Sequence, residues 1–157
     1  MYSKQGHTLT EATKKLEDYC TYRERCHKEV TNKLRDMGMI PEAIDHIIVH
    51  LIGQDYLNEE RFAKSFARGK FKIKKWGRVR IVNELKYRDI SKYNIQIALE
   101  EIGEEDYVST LESLAQKRLR SLKEPNLQKR RKKLANYLLY RGWESNLVYE
   151  KIKELIP

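Results

Sequence analysis

Apolar and polar positions along this chain follow one pattern three times, in copies that lie about 50 residues apart. The matching positions are Leu34, Gly38, Met39, Ile44, Ile48 and Leu51 in the first copy, Leu85, Asp89, Ile90, Ile95, Leu99 and Ile102 in the second, and Leu138, Gly142, Trp143, Val148, Ile152 and Leu155 in the third. Such self-similarity is the signature of a repeat array, whose units are too small to bury a full core alone. Arrays present long surfaces rather than enclosed pockets, so the pattern favours binding over catalysis.

Each copy has the spacing of two short amphipathic helices joined by a tight turn. In the first copy, Gly38 has the position of a left-handed residue that ends a helix, and Pro41 can begin the next one. In the second copy, Asp89 occupies the turn and Ser91 is a candidate N-cap. The repeated unit therefore contains at least a helical hairpin.

A further amphipathic stretch precedes each helix pair. Thr8 and Glu11 have the spacing of a capping box ahead of the first stretch, and Asn58 is a candidate N-cap for the second. The one alternating segment, residues 71–74, is interpreted as the frayed end of the fourth helix or the turn after it. The pattern predicts an all-α fold of three tandem three-helix modules, about nine helices in an elongated, curved array, with modules at residues 1–54, 55–104 and 105–157.

Composition favours a folded protein of a reducing compartment. Hydrophobic residues make up 40% of the 157 positions and charged residues 35%. No apolar run reaches the roughly 18 residues that a membrane span requires, and residues 1–10 contain no apolar signal core. Cys20 and Cys26 fall in what the pattern predicts to be one helical stretch, and two cysteines are too few for a disulfide scaffold. We expect a cytoplasmic protein without membrane contact.

The formal net charge of +9 is distributed unevenly. Residues 1–55 carry eight Lys or Arg and nine Asp or Glu, whereas residues 56–105 carry twelve and eight, and residues 106–157 carry twelve and six. A positive field confined to part of a protein usually faces an acidic partner, most often nucleic acid. We therefore expect the second and third modules to supply the basic contacts and the first to do something else.

The densest basic segment lies in the second module and contains no acidic residue between its first and last cations. Its members are Arg61, Lys64, Arg68, Lys70, Lys72, Lys74, Lys75, Arg78 and Arg80. A solvated helix face normally mixes charges of both signs, so this segment favours a surface that contacts phosphates or an acidic groove. The alternative interpretation is a helix face that only keeps the protein soluble.

A second basic segment, residues 117–133, provides the further candidates Arg118, Lys129, Arg130 and Lys133. The run of five cations from Lys129 surrounds a helix, so its members cannot all face one partner. Trp76 could stack on a nucleic-acid base, but the pattern favours packing at a turn between two helices. Trp143, interpreted as occupying the equivalent turn of the next repeat, is expected to be structural.

Several short segments of the second module resemble the central signature of the RecX family of regulatory proteins. They are Tyr56-Leu57-Asn58-Glu59-Glu60-Arg61-Phe62-Ala63, Trp76-Gly77, Arg80-Ile81 and Glu84-Leu85. The end of the first module, with Arg25, Glu29-Val30, Lys33-Leu34 and Gly38, also resembles the family, and the resemblance covers about residues 9–157. The family often has Asp where this chain has Glu59, and Gly where it has Asp89.

The resemblance implies a modulator of the RecA recombinase that acts in homologous recombination, DNA repair and the SOS response. It implies binding in the groove of the RecA filament on DNA, with inhibition of ATP hydrolysis, strand exchange and co-protease activity. We expect a monomer whose partners are this filament and single- or double-stranded DNA, contacted directly or through the filament. The residues that we expect to make these contacts are the thirteen candidates that the charge pattern gives in the two basic segments.

The sequence offers little for catalysis or metal binding. It has no P-loop, no HExxH motif and no nucleophile elbow, so we expect a non-enzyme without cofactors. The spacing of Cys20 and Cys26 does not match a zinc knuckle, and His46 and His50 lie away from the predicted core face.

A helix-turn-helix protein that binds DNA directly is the alternative function, because each module ends in two helices joined by a tight turn. Such a protein needs side chains that read base edges near the start of one helix. The candidates are Asn94, Gln96 and Asn146.

Overall fold

The computed structural model describes residues 6–157, so residues 1–5, half of the stretch examined for a signal core, lie outside the described part. Residues 6–157 form nine α-helices and no β-strand. The helices are α1 (Leu9–Tyr22), α2 (His27–Asp36), α3 (Pro41–Gly53), α4 (Glu59–Lys74), α5 (Arg78–Tyr87), α6 (Lys92–Leu99), α7 (Glu104–Ser121), α8 (Leu127–Tyr140) and α9 (Ser145–Leu155). Helix–helix packing is concentrated within three consecutive sets, α1–α3, α4–α6 and α7–α9. The predicted all-α fold of three-helix modules is confirmed.

Local sequence signals set several helix starts. The Thr8 hydroxyl accepts a hydrogen bond from the Glu11 amide while the Glu11 carboxylate accepts one from the Thr8 amide, which is the predicted capping box. The Asn58 side chain caps α4, and the Ser91 side chain caps α6. Each cap satisfies an amide that has no partner inside its own helix.

The turns between the second and third helices of each set have the left-handed residue that the repeat pattern predicts. Gly38 has φ 77°, Asp89 has φ 61° and Gly142 has φ 89°. Pro41 is the first residue of α3, where the missing amide costs no hydrogen bond. The short turn reverses the chain, so the two helices of each pair pack against each other.

The three sets do not contribute equally to the core. The first set has a core of its own, whereas the second and third sets share one continuous core. Phe71 of α4, Tyr107 of α7 and Trp143 after α8 join the two, with ring centroids 5.9 Å apart for Phe71 and Tyr107 and 4.4 Å apart for Tyr107 and Trp143. Large aromatic rings reach across the boundary, so the second and third modules form one packed unit.

Two glycines bring the backbones of these modules into contact. The Gly77 amide donates to the Arg141 carbonyl at 2.8 Å, and the Val79 amide donates to the Gly142 carbonyl at 2.9 Å. A Cβ on Gly77 would overlap the backbone of Gly142, and a Cβ on Gly142 would overlap Arg80. The start of α5 is therefore fixed directly against the turn before α9.

The first and second modules meet through polar contacts and one buried thiol. Arg61 of α4 pairs with Glu24, Nε to Oε2 at 2.6 Å, and Lys28 of α2 donates to the Tyr87 carbonyl at 2.6 Å. Cys26, which is fully buried, packs with the core of the second and third modules. This junction has fewer apolar contacts than the one between the second and third modules.

The prediction that Cys20 and Cys26 share one helical stretch is wrong. Helix α1 ends at Tyr22, and Cys26 is the N-cap residue of α2. Arg25 stabilises the break, because its side chain is buried, its Nε donates to the Tyr19 carbonyl at 2.9 Å and its guanidinium lies 3.6 Å from the centre of the Tyr19 ring. The break contains no Gly or Pro, so no local signal marked it.

Of two other interpretations of the sequence, the placement of residues 71–74 at the end of the fourth helix is confirmed, although this turn is regular, and the equivalence of the two tryptophan turns is wrong. Residues 71–74 form the last turn of α4, with Phe71 buried in the core. Trp76 follows the first helix of its set and Trp143 follows the second helix of its own, so the two turns are not equivalent. Trp143 is 1% exposed, as a structural role requires, whereas Trp76 is half-buried against Phe66.

Candidate interaction surface

Three of the predicted cations on α4 pair with carboxylates of the same chain. Arg61 pairs with Glu24 and Asp55, Arg68 forms an ion pair with Glu101, and Lys64 lies 4.0 Å from Glu60. Glu24, Asp55 and Glu101 lie outside the basic segment, so its lack of acidic residues did not reveal these pairs. These three cations contribute less net positive charge to the surface than the sequence indicated.

Arg78 lies at the junction between the second and third modules. Its guanidinium pairs with Glu104 at 2.6 Å and with Glu144 at 3.2 Å, and it lies 3.7 Å from the centre of the Tyr107 ring. The Tyr107 hydroxyl accepts from the Arg78 amide and donates to Glu144. Burial raises the pKa of Tyr107 far above its ordinary value, so this hydroxyl remains a donor. Arg78 thus acts within the fold.

Three exposed lysines at the end of α4 make no ion pair with the described residues: Lys72, Lys74 and Lys75. Lys75 is the C-cap residue, in the left-handed conformation with φ 60°. Cations at a helix C-terminus also interact favourably with the helix dipole. This group, here called the α4 lysines, is the densest set of exposed and uncompensated cations among the predicted residues.

A groove beside Lys75 supplies hydroxyl donors that the sequence did not single out. Its volume is about 230 Å³, and it lies between the end of α4 and the outer face of α7. Its lining residues are Lys75, Ser109, Thr110, Ser113, Leu114 and Lys117. Ammonium groups and hydroxyls together are ordinary donors to phosphate oxygens. The hydroxyls were missed because only the packing of α7 brings them to the end of α4.

Arg80 and Lys70 interact with aromatic rings rather than with carboxylates. The Arg80 guanidinium lies 4.2 Å from the centre of the Trp76 ring and 5.0 Å from that of Tyr140, which is 74% exposed. Lys70 Nζ lies 5.0 Å from the Trp76 ring and 5.4 Å from the Phe66 ring. Exposed rings layered with cations can also stack on unpaired bases. Tyr140 is 60 residues from Arg80 in the sequence, so no motif connected them.

The predicted cations of the third module are spread over several environments. Lys133 pairs with Glu124 at 3.1 Å, and Lys129 is exposed. Arg118 lies 4.7 Å from the centre of the Tyr137 ring. Both Arg118 and Arg130 have a buried Nε without a hydrogen-bond partner in the described part of the chain. These four residues therefore differ in burial and in partners, although Lys129, Arg130 and Lys133 share helix α8.

The cysteines and histidines of the first module lie in different environments. Burial raises the pKa of the Cys20 thiol to about 11, which keeps it protonated, and burial also raises the pKa of Cys26. His50 Nε2 lies 2.8 Å from a Glu17 oxygen, while His46 is exposed. Within residues 6–157, no three His, Cys, Asp or Glu side chains gather in a way that could hold a metal ion.

The candidate base-reading residues do not form one exposed set. The Asn94 amide donates to the Glu59 carboxylate at 2.5 Å, and the Ser91 amide donates to the same oxygen at 3.3 Å. Partial burial acts to raise the pKa of Glu59, but these hydrogen bonds outweigh it and lower that pKa below its ordinary value. Asn94 therefore joins α4 to α6, while Gln96 and Asn146 are exposed.

Among the helices of the described part, none combines the length and apolarity that a membrane crossing needs.

Comparisons with known families identify the second and third helical sets. Residues 58–99 match the family model described as "RecX, second three-helix domain", and residues 104–152 match "RecX, third three-helix domain". Two solved structures have the same fold. "Crystal structure of regulatory protein RecX" has a TM-score of 0.83 at 25% identity, covering 93% of this chain and 73% of that one. "Crystal structure of RecX from Lactobacillus salivarius" has a TM-score of 0.79 at 24% identity, covering 94% and 96%.

Curated relatives named "Regulatory protein RecX" extend the similarity. The protein from Pseudomonas savastanoi pv. phaseolicola is 30% identical over 83% of both chains, and the one from Prosthecochloris aestuarii is 28% identical over 88% of this chain and 89% of its own. The relative from Oceanobacillus iheyensis is 27% identical over 97% of this chain but 56% of its own, so this chain spans little more than half its length. The shared fold, the two domain matches and these relatives show that the chain belongs to the RecX family of regulatory proteins.

Proposed function

We propose that this chain is a non-enzymatic regulator that binds in the groove of the RecA–DNA filament. On this proposal it inhibits or modulates the recombinase, ATPase and co-protease activities of RecA in DNA repair and the SOS response. The observation that carries the proposal is the α4 lysines, uncompensated within the described residues, beside a groove that adds Lys117 and three hydroxyls. Together with family membership, this surface supports contact with a polyanionic assembly.

The division of the core supports different roles for the modules. The second and third modules carry most of the positive charge and form one packed unit, which suits a surface that must keep its cations in a fixed arrangement. The near-neutral first module has its own core and joins this unit through polar contacts and the buried thiol of Cys26. On our proposal the first module closes against a neighbouring RecA subunit. The chain then bridges subunits and restricts filament growth or strand exchange.

Contacts to phosphates would make the association sensitive to salt. Each lysine that neutralises a phosphate of a single strand releases roughly 0.7 counterion, so loss of two lysines should reduce the slope of log affinity against log salt by about 1.4. Replacement of Lys72 and Lys75 by Gln tests this number because both side chains are exposed, and reversal of the same two residues to Glu should weaken binding further. The matched control reverses Lys15 and Lys153, which are exposed on the first and third modules.

The direct functional assay measures ATP hydrolysis by RecA on single-stranded DNA with increasing amounts of this chain. We expect the rate to fall, and we expect the Lys72→Glu, Lys75→Glu variant to be less effective than the control variant. An unchanged rate with the wild-type chain in excess would overturn the proposal.

A sequence-specific shift of duplex DNA that survives nonspecific competitor would instead favour direct DNA recognition, with Asn146 or Gln96 as the residues to replace next.

A further inference from the structure

A second groove, here called the α4 groove, lies between the segment after α1 and the outer face of α4. Its volume is about 220 Å³. Its walls are largely apolar and include Phe62, which is 5% exposed, Phe66 and Ile73, which is 78% exposed. The exposed isoleucine beside the half-buried Phe66 ring leaves apolar surface in contact with water, and burial of that surface by a partner would be favourable.

The rim of the α4 groove is positively charged. Arg23, Lys70 and Lys74 line it, together with one carboxylate, Glu24, which is already paired with Arg61. Arg23 has only a distant contact with Glu29, at 3.5 Å.

The charge environment of Lys70 indicates that this positive field is not neutralised. Burial lowers the pKa of Lys70, and the nearby charges of Lys74, Arg88 and Arg23 lower it further. An anionic group placed in the groove would relieve this repulsion.

Gly69 is a glycine inside a helix that lines the α4 groove. It lies inside α4, where glycine costs about 1 kcal/mol of helix stability relative to alanine. A Cβ built on it meets no atom within 4 Å, so nothing inside the described chain requires a glycine here. Close approach of another molecule to the helix backbone is an ordinary reason for such a residue.

We propose that the α4 groove binds a segment of a partner protein in which an apolar side chain is flanked by carboxylates. The apolar side chain enters beside Gly69 between Phe66 and Ile73, and the carboxylates meet Arg23, Lys70 and Lys74. A phosphodiester chain would leave the apolar walls unused and fits the groove of Lys75 and Lys117 better. The identity of the partner in this inference rests on the proposed function. Lys70 and Lys74 are thereby assigned to contact with protein, and Lys72 and Lys75 to contact with DNA.

The test uses the full chain and a fluorescein-labelled peptide, Asp-Glu-Leu-Phe-Glu-Asp, in an anisotropy titration. The reference peptide has Ser-Ser in place of Leu-Phe, and a labelled oligothymidylate of similar charge reports nucleic-acid binding. We expect the first peptide to bind at least about tenfold more tightly than the reference peptide, because the reference peptide has no apolar side chain to bury in the groove.

Two variants distinguish the groove from general charge attraction. Gly69→Leu fills the groove without a change of charge and should strengthen the helix, so peptide affinity should fall about tenfold while the melting temperature does not fall. Lys74→Glu should weaken peptide binding, whereas Lys72→Glu, a matched reversal on the same helix outside the groove lining, should change it less than about twofold.

Three results would overturn the inference: no preference for the apolar peptide, unchanged affinity in Gly69→Leu, or equal losses in the two lysine variants. Selective loss of oligothymidylate binding in Gly69→Leu would assign the groove to nucleic acid and would also overturn the inference. The titration contains no RecA, so its outcome is separate from that of the ATPase assay. If the chain bound the peptide but had no effect on RecA, the groove would stand as a peptide-binding site and the proposed function would be rejected.

Discussion

The indole N–H of Trp143 donates a hydrogen bond to the backbone carbonyl of Lys75, 3.1 Å away. The donor follows α8 in the third module, and the acceptor is the C-cap residue of α4 in the second. Because this carbonyl lies at the end of a helix, it has no intrahelical partner, and Trp143 supplies one. The packing of the third module thus helps to hold the end of α4, where the α4 lysines lie.

Replacement of Trp143 by Phe should destabilise the second and third modules together. The change keeps most of the ring but leaves the Lys75 carbonyl without its donor, at a cost of about 1–3 kcal/mol. Urea unfolding followed by circular dichroism measures the free energy of unfolding. Trp76→Phe is the control because Trp76 is only half-buried, and a larger loss in that control would contradict this assignment.

Phe62→Ala should act through stability, with a loss of about 3 kcal/mol, because Phe62 packs in the shared core. Phe66→Ala, four residues later on the same helix, removes an equal ring from a half-buried position and should cost less. Thermal and urea unfolding of both variants measure the difference. Equal losses would show that the ring of Phe62 is no better buried than that of Phe66.

Hydrogen exchange should reveal two cooperative units instead of three. Leu138→Ala, in the shared core, should increase amide exchange in α4–α6 as well as in α7–α9. Leu16→Ala, in the first core, should increase exchange mainly in α1–α3. Mass spectrometry of peptic fragments makes the comparison. Exchange confined to α7–α9 in Leu138→Ala would contradict a shared unit.

The contact between Glu59 and Asn94 should depend on pH in a defined direction. Since the folded-state pKa of Glu59 lies below its ordinary value of 4.5, its stabilising contribution is complete above that pH and is lost as the pH falls through the lower folded-state value. The difference in unfolding free energy between wild type and Glu59→Gln should therefore be constant near neutral pH and shrink below pH 4.5.

The control for this experiment is Glu60→Gln, which removes the neighbouring carboxylate and keeps the contact with Asn94. Chemical denaturation at a series of pH values provides the measurement. The assignment would be contradicted if the difference in unfolding free energy between wild type and Glu59→Gln grew as the pH falls. It would also be contradicted if Glu60→Gln showed the same pH dependence as Glu59→Gln.

The sequence predicted those parts of the fold that local interactions decide. The capping box of Thr8 and Glu11 and the left-handed turns at Gly38 and Asp89 depend on residues a few positions apart. Their signals are therefore visible in the sequence itself. The break after α1 was missed because Arg25, not a turn residue, stabilises it through the carbonyl of Tyr19.

The candidate surface was less predictable because it depends on which distant side chains meet. The sequence showed that Arg61 and Arg68 are basic, but Glu24 and Glu101 compensate them only in the folded chain. The hydroxyls beside Lys75 likewise become neighbours only when α7 packs against the end of α4. The basic segments therefore remain a prediction of where binding occurs, and the fold separates their exposed members from their paired ones.

The central claim is that the α4 lysines contact the RecA–DNA filament, and co-sedimentation with preformed filaments on single-stranded DNA tests it most directly. We predict that the wild-type chain sediments with the filament and that Lys72→Glu, Lys75→Glu binds at least about tenfold more weakly, while Lys15→Glu, Lys153→Glu binds like wild type. Equal binding by the two double variants, or no sedimentation of the wild-type chain, would contradict the claim.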